Sequence, residues 1–262
     1  MTNMLTVLKI GGKVVDDPQA LQGLLTDFSG LSGPKVLVHG GGRSATAMAA
    51  RLGIEARMLA GRRITDAEML KIVVMVFGGW VNKQIVARLQ ALGVNACGFT
   101  GADLNLIRAR KRPPQPIDYG FVGDVESVQH EVLQQLLEQG ILPVIAPLTH
   151  DGQGQLLNTN ADTTASVVAA GLARHGPVRL VLCFEMPGVL RDPGDPASVI
   201  PLIRRPAYEQ LKAAGIISAG MIPKLDNAFD ALDAGVQEVC ICDRSGLNSL
   251  EGNFSGTRVL AD

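Results

Sequence analysis

Residues 35–42 read Lys35-Val36-Leu37-Val38-His39-Gly40-Gly41-Gly42, a short β-forming run that ends in consecutive glycines. The run is too short for a helix, and the residues that follow space Met48 and Leu52 as a helix spaces its apolar side chains. Glycines at a strand-to-helix junction remove every Cβ from the place where phosphate or carboxylate oxygens would sit, so backbone N–H groups can face a ligand. The stretch matches neither the Walker A pattern nor the GxGxxG dinucleotide fingerprint. Leu5 to Ile10 followed by Gly11 and Gly12 has the same form, and there Lys9 adds a cation near the end of the strand. His39, at its junction, reads as a hydrogen-bonded structural residue rather than a catalyst.

Three more short apolar runs, Ile141 to Ala146, Leu180 to Cys183 and Glu238 to Cys242, are bounded by Gly, Pro or charge and read as buried strands. Between the strands lie stretches with helical apolar spacing: Leu21/Leu24/Leu25, Val81/Ile85/Leu89, Val132/Leu136 and Ala228/Leu232. Strands alternating with helices predict an α/β fold, a three-layer α/β/α sandwich around an open, mainly parallel sheet. The proline-rich segments 111–117 (KRPPQPI) and 191–197 (RDPGDPA) read as a hairpin or surface loop and as a turn. A division into two lobes falls at Arg174 to Pro177, giving residues 1–175 and 176–262.

A chain of 262 residues that is 47% hydrophobic can bury a large core. Its 24 Lys and Arg against 25 Asp and Glu leave a formal charge of −1, so no global field draws it to nucleic acid or to an anionic membrane. Affinity for phosphate has to be local. The first residues, MTNMLTVLKIGG, lack the basic and apolar regions of a signal sequence, and no apolar run nears the roughly 18 residues of a membrane span, which predicts a soluble cytoplasmic protein. Cys97, Cys183, Cys240 and Cys242 have no Cys-x-x-Cys spacing and sit in apolar runs, as buried reduced thiols do, and no metal site is read from them.

Two further segments carry candidate chemistry. Asn158-Thr159-Asn160-Ala161-Asp162 precedes a small-residue helical run, where a carboxylate at Asp162 has a plain reading as a helix cap. Gly220-Met221-Ile222-Pro223-Lys224 sets a second lysine after a glycine-led turn; alone, Lys224 reads as a solvated surface residue.

Together these segments resemble the acetylglutamate kinase family, a branch of the amino acid kinases. KIGG, VHGGG, GRRIT, the VNK of FGGWVNK, GFVGDV, LLNTNAD, PGVL, GMIPKL and the terminal GTRVL occur in the family's order nearly end to end. Aspartokinases (KFGGTS), uridylate kinases (KxSGE) and glutamate 5-kinases (KxGS) differ at the first motif. The resemblance implies that Lys9 and Lys224 clamp a transferring phosphoryl group while Asp162 holds the two lysines in place. It implies that Gly41 and Gly42 by their backbone N–H groups, Arg63 by a bidentate grip on the α-carboxylate, and Asn158 bind an N-acylated glutamate. It places ATP, with the Mg²⁺ it carries, over Gly11 and Gly12 and against Glu185, Met186, Pro187, Gly188, Val189, Leu190, Ile216, Ile217 and Ser218. One departure stands in that stretch: this chain has Phe184-Glu185-Met186-Pro187 where most relatives have Ser or Thr and then Asp before the PGV element.

The activity so implied is ATP-dependent phosphorylation of the γ-carboxylate of N-acetyl-L-glutamate, in arginine biosynthesis, with an acyl phosphate as product. That carboxylate is already ionised near neutral pH, so no general base is required, and the task is to bring it against an anionic triphosphate. One alternative is N-succinyl-L-glutamate, whose second carboxylate needs a cation, for which Arg43 and Arg62 are candidates; Phe77 and Trp80 are candidate shapers of the acyl pocket. Another is a non-catalytic sensor of amino acid or nucleotide. Arginine-inhibited members of the family carry an extra N-terminal helix that links dimers into hexamers, whereas Lys9 here lies close to the start, which implies an arginine-insensitive homodimer.

Overall fold

A computed structural model describes residues 4–59, 62–217 and 220–261. Its strands are β1 (Leu5–Ile10), β2 (Lys35–His39), β3 (Met58–Leu59), β4 (Arg62–Arg63), β5 (Ala96–Phe99), β6 (Ile107–Lys111), β7 (Gly123–Val128), β8 (Leu142–Ile145), β9 (Leu148–His150), β10 (Leu156–Asn158), β11 (Val178–Cys183), β12 (Leu202–Arg204), β13 (Glu238–Cys242) and β14 (Thr257–Leu260). The helices are α1 (Gly12–Asp16), α2 (Pro18–Gly30), α3 (Gly42–Arg51), α4 (Ala67–Val73), α5 (Asn82–Ala91), α6 (His130–Glu138), α7 (Ala161–Leu172), α8 (Arg205–Ala213), α9 (Ile222–Asp233) and α10 (Arg244–Asn248).

Eight strands make the central sheet, in the order β12-β14-β13-β11-β1-β2-β8-β5. Every neighbouring pair is parallel except β13 and β14. The alternation of side chains along β1 and its neighbours sends Leu5, Val7, Val36, Val38, Leu180 and Leu182 to one face, where they meet Ala165 and Val168 of α7 and Leu225 and Phe229 of α9. Leu8, Ile10, Leu37 and Val181 point the other way, against Leu24 and Phe28 of α2, Ile72 of α4 and Ile85 and Leu89 of α5. The architecture is the three-layer sandwich expected from the sequence, and burial on both faces is why β1 is an unbroken buried run. Truncating a fully buried leucine or phenylalanine in such a core costs about 2–5 kcal/mol. Lys9 shares its parity with Val7 and so enters the layer of α7 and α9. The sheet runs on across residues 174–177, because β11 pairs directly with β1.

The differences from the sequence reading have local causes. The short strands β5, β12 and β14 escape it, as does the second sheet, β10-β9-β6-β7, in which charged residues along Ile107–Lys111 and Gly123–Val128 blur the apolar alternation. Segment 111–117 begins at the last residue of β6 and lies in the connection to antiparallel β7. Segment 191–197 is a turn, closed by Arg191 N–H donating to the Ser198 carbonyl at 2.9 Å. Helix α3 buries Ala45 and Ala49 rather than Met48 and Leu52, and Leu52 is 55% exposed; small side chains on the inner face let that helix sit close to its neighbours. Cys183, Cys240 and Cys242 are buried free thiols, but Cys97 is exposed, on the strand that ends the sheet.

Helix α4, a π-helical segment at Val74–Val81 and α5 run on as one 25-residue stretch, Ala67–Ala91, whose most apolar window has a mean hydropathy of 1.3. By length and composition alone this stretch passes for a membrane span, which the sequence reading had not anticipated. Met69, Ile72, Val76, Phe77, Val81, Ile85 and Leu89 are nevertheless buried in the protein's own core, which accounts for their apolarity without lipid.

One backbone position beside Thr65 demands glycine. Gly120, with φ of +72°, bridges to Thr65, and a Cβ there would fall 2.2 Å from the Thr65 carbonyl oxygen. Both the left-handed backbone and the close approach require glycine.

Candidate active site

The two glycine turns lie side by side at the C-terminal ends of β1 and β2, the edge where open parallel sheets bind ligands. Gly40 N–H donates to the Ile10 carbonyl at 3.0 Å, and Gly11 N–H to the Cys183 carbonyl at 3.0 Å, which stitches the turns across β11, β1 and β2. His39 is fully buried: its Nδ1 lies 2.8 Å from the Gly40 carbonyl, and its Nε2 faces Asn82 Nδ2 at 3.1 Å. A carbonyl takes a proton from Nδ1 and the amide gives one to Nε2, so the ring is the neutral Nδ1–H tautomer. Burial, only partly offset by the Gly40 hydrogen bond, lowers its pKa to about 4. His39 thus buttresses the turn, the structural role read from the sequence.

Asn160, not Asp162, caps α7: its Oδ1 accepts from Asp162 N–H at 2.8 Å and Thr163 N–H at 3.1 Å. The cap reading of Asp162 is thereby corrected, and its carboxylate is left for other partners. Lys9 Nζ lies 2.7 Å from Asp162 Oδ1, and Lys224 Nζ 2.8 Å from Oδ2. The Lys9 contact is an ion pair without hydrogen-bond alignment, so Oδ1 has no well-directed donor. Burial by itself would raise the Asp162 pKa, but the two ammonium groups outweigh it and hold the carboxyl at about 2. Lys224 is no solvated surface residue. Its side chain is 24% exposed and its Nζ stands 5.4 Å from the centre of the Phe184 ring.

The two lysines border a cavity of about 710 Å³ shared with Gly11, Gly12, Lys13, Arg43, Phe184 and Glu185. Beside it a smaller cavity of about 190 Å³ is lined by Gly41, Gly42, Arg62, Arg63, Phe77 and Asn158, among others. Arg63 is 7% exposed and pairs with no carboxylate among the described residues; Nη2 donates to the Gly42 carbonyl at 2.7 Å and to Thr46 Oγ1 at 2.8 Å. Burial depresses its pKa. A buried cation without an anion is costly, and an anionic ligand in this cavity would relieve that cost. Asn158 Nδ2 donates to Thr65 Oγ1 at 2.9 Å, and the ring of Phe77 packs so closely on Gly41 that an added Cβ would meet it at 2.7 Å.

A third cavity, of about 90 Å³, is lined by Met186, Gly188, Val189, Leu190 and Ile217 with Pro193 and Met221. Pro187 and Ile216 are next to lining residues in the chain without lining it themselves, and Ser218 lies outside the described residues. Thr257 fixes the strand end there: its Oγ1 accepts from Val189 N–H at 2.8 Å and donates to the Ile200 carbonyl at 2.7 Å. Of the residues named from sequence, Lys9, Lys224 and Asp162 meet in one ion cluster, while Gly41, Gly42, Arg63 and Asn158 meet in one cavity. Trp80, 66% exposed, lines neither the 710 Å³ nor the 190 Å³ cavity. Thr65, Thr257 and Lys13 went unassigned. The signal for the two threonines lay in the quoted motifs GRRIT and GTRVL, where a hydroxyl amid apolar residues needs a partner once buried.

Residues 4–243 match the amino acid kinase family. The acetylglutamate kinase of Bacteroides thetaiotaomicron is 59% identical over 96% of this chain and 98% of its own length. That of Phocaeicola vulgatus is 58% identical, with the same shares covered. Among solved structures, N-acetylglutamate synthase from Neisseria gonorrhoeae, complexed with coenzyme A and N-acetyl-glutamate, superposes with a TM-score of 0.83 at 23% identity. This chain is covered over 99% of its length and spans 60% of the synthase, a likeness of fold.

Proposed function

This chain belongs to the amino acid kinase family, and from its likeness to the acetylglutamate kinases we propose that it phosphorylates the γ-carboxylate of N-acetyl-L-glutamate with ATP, as a step of arginine biosynthesis. The observation that carries the reading is the pair of lysines fixed on Asp162 beside a buried Arg63 that has no anion of its own. Two anions have to meet, and the site offers the lysine pair bordering the larger cavity and Arg63 lining both cavities.

Arg63 takes the α-carboxylate with its planar fork, and Asn158 and the N–H groups of Gly41 and Gly42 orient the rest of the amino acid. The γ-carboxylate attacks the terminal phosphorus as an anion, in line with the leaving oxygen of ADP. Charge then spreads over the equatorial oxygens, where Lys9 and Lys224 are already placed to receive it. Because Asp162 fixes both ammonium groups beforehand, little reorganisation is needed as that charge develops. Mg²⁺ carried by ATP would neutralise part of the triphosphate charge. Gly11 and Gly12 would lie under the phosphates with Glu185 bordering them, and Met186, Gly188, Val189, Leu190 and Ile217, with Pro187 and Ile216 next to them in the chain, would receive the nucleoside. In this reading residues 1–175 hold the acylglutamate and residues 176–262 the nucleotide, and the protein works in the cytoplasm.

Arg63→Lys keeps the charge and loses the fork, and is expected to raise KM for the acylglutamate about tenfold or more with a smaller effect on kcat. Steady-state kinetics checks this, and an unchanged KM would remove Arg63 from the carboxylate site. A homodimer is part of the same reading. Met75 and Trp80, 54% and 66% exposed, are the apolar surface it would cover, and sedimentation equilibrium at micromolar concentration is expected to give twice the 27.6 kDa chain mass; a monomer would exclude it.

A second substrate reading has one observation in its favour. Arg62 lines the smaller cavity next to Arg63, is exposed, and pairs with no carboxylate among the described residues, so it can meet the extra carboxylate of N-succinyl-L-glutamate. The test of function is kcat/KM for N-acetyl-, N-succinyl- and free L-glutamate on one preparation. The acetyl compound is expected to lead. A preference above about tenfold for the succinyl compound, some 1.4 kcal/mol of transition-state binding, would overturn the choice of acyl group, and turnover of none would overturn the reaction.

A further inference from the structure

The glycine turns after β1 and β2 share a feature that the clamp of Lys9 and Lys224 does not use. Each turn leads into a helix with a cation as its second residue, Lys13 in α1 and Arg43 in α3, and both line the 710 Å³ cavity. A hydrogen bond from Ser44 Oγ to Asp16 ties the two helices together. Lys13 forms an ion pair with Glu185, which also lines this cavity. Lys9 and Lys224 share Asp162, and Arg63 is held by Gly42 and Thr46. Of the cations lining this cavity, Lys13 and Arg43 are therefore the ones outside both the Lys9–Asp162–Lys224 cluster and the Arg63 site.

The two ion-pair systems differ in how easily they exchange. Side chains of Lys9, Asp162 and Lys224 are 10%, 15% and 24% exposed, whereas those of Lys13 and Glu185 are 47% and 38% exposed. A solvent-screened pair costs little to open, and a phosphate chain with several charged oxygens outcompetes one carboxylate for an ammonium group. Burial raises the Glu185 pKa, but Lys13 and, more weakly, Arg43 bring it below its ordinary value, so Glu185 is a standing anion at the cavity wall. We propose that Lys13 is a third polyphosphate-binding cation, for which Glu185 competes, so that nucleotide binding transfers Lys13 from Glu185 to the phosphates. The inference rests on the ATP-dependent kinase reading and adds to it an exchangeable grip on the phosphate chain beside the fixed clamp.

Titration calorimetry with ATP and with inorganic tripolyphosphate tests it on the full-length wild type, Lys13→Met, Glu185→Gln and the double variant. Lys13→Met is expected to weaken both probes about tenfold. Glu185→Gln is expected to tighten tripolyphosphate binding, and that gain should vanish in the double variant. Wild-type affinity in Lys13→Met would overturn the proposal, as would a Glu185→Gln gain that persists without Lys13, which would be repulsion alone. Turnover of the wild type is measured alongside. Normal turnover with an indifferent Lys13→Met sinks only the Lys13 assignment, whereas absent turnover sinks the kinase reading and this one with it.

Discussion

Replacing Lys9 or Lys224 by alanine is expected to lower kcat by about a hundredfold or more, because losing one preorganised donor to transition-state charge costs about 2.7–4 kcal/mol. Each lysine sits within 2.8 Å of a different oxygen of Asp162. Removing one leaves the other in place, so the protein should fold and the loss should fall on turnover more than on KM. The double variant is expected to lose less than the product of the single losses, since the lysines act as one unit on one group. Near-normal kcat in either single variant would strip that residue of its role as a clamp.

Asp162→Asn is expected to be the most destabilising conservative change in the site. It leaves two ammonium groups side by side in a mostly buried cluster, and breaking a buried ionic network in this way costs about 3–5 kcal/mol. The pH dependence has a definite sign. In the folded chain Asp162 has a pKa of about 2 against an ordinary 3.8, so the unfolded chain binds the proton more readily. The stabilisation is complete above the unfolded value and is lost as pH falls through the folded one, an effect on the order of 2 kcal/mol. Urea unfolding of wild type and Asp162→Asn should show a gap that is widest near neutrality and narrows by about 2 kcal/mol as pH falls from about 4 to about 2. A gap that stays constant over that window would mean that the carboxylate charge is not what holds the lysines.

The parts of this protein legible in its sequence are those written locally. Strand β1, its glycine turn and the matching turn after β2 lie within short windows, and their apolar runs and missing Cβ atoms state the fold directly. The ion cluster is different. Asp162 and Lys224 are 62 positions apart, and no spacing rule brings them together; only the order of motifs shared with a family pointed to their meeting. Asn160 and Asp162 are equally good capping residues, and which one caps depends on side-chain geometry that composition does not encode. Thr65 reaches Asn158 across 93 positions, a hydrogen bond set by the bridge at Gly120. Helix α3 misled because Met48 and Leu52 outrank Ala45 and Ala49 in hydrophobicity, while close packing selects the small residues.

The central claim is that the Lys9–Asp162–Lys224 cluster moves a phosphoryl group onto a carboxylate. Hydroxylamine trapping tests it most directly, by incubating the protein with MgATP, N-acetyl-L-glutamate and hydroxylamine and measuring ADP and hydroxamate together. The expected result is γ-hydroxamate in amounts equal to ADP, dependent on both substrates and nearly abolished in Lys9→Ala. Binding of both ligands with no ADP formed, or ADP without hydroxamate, would contradict it.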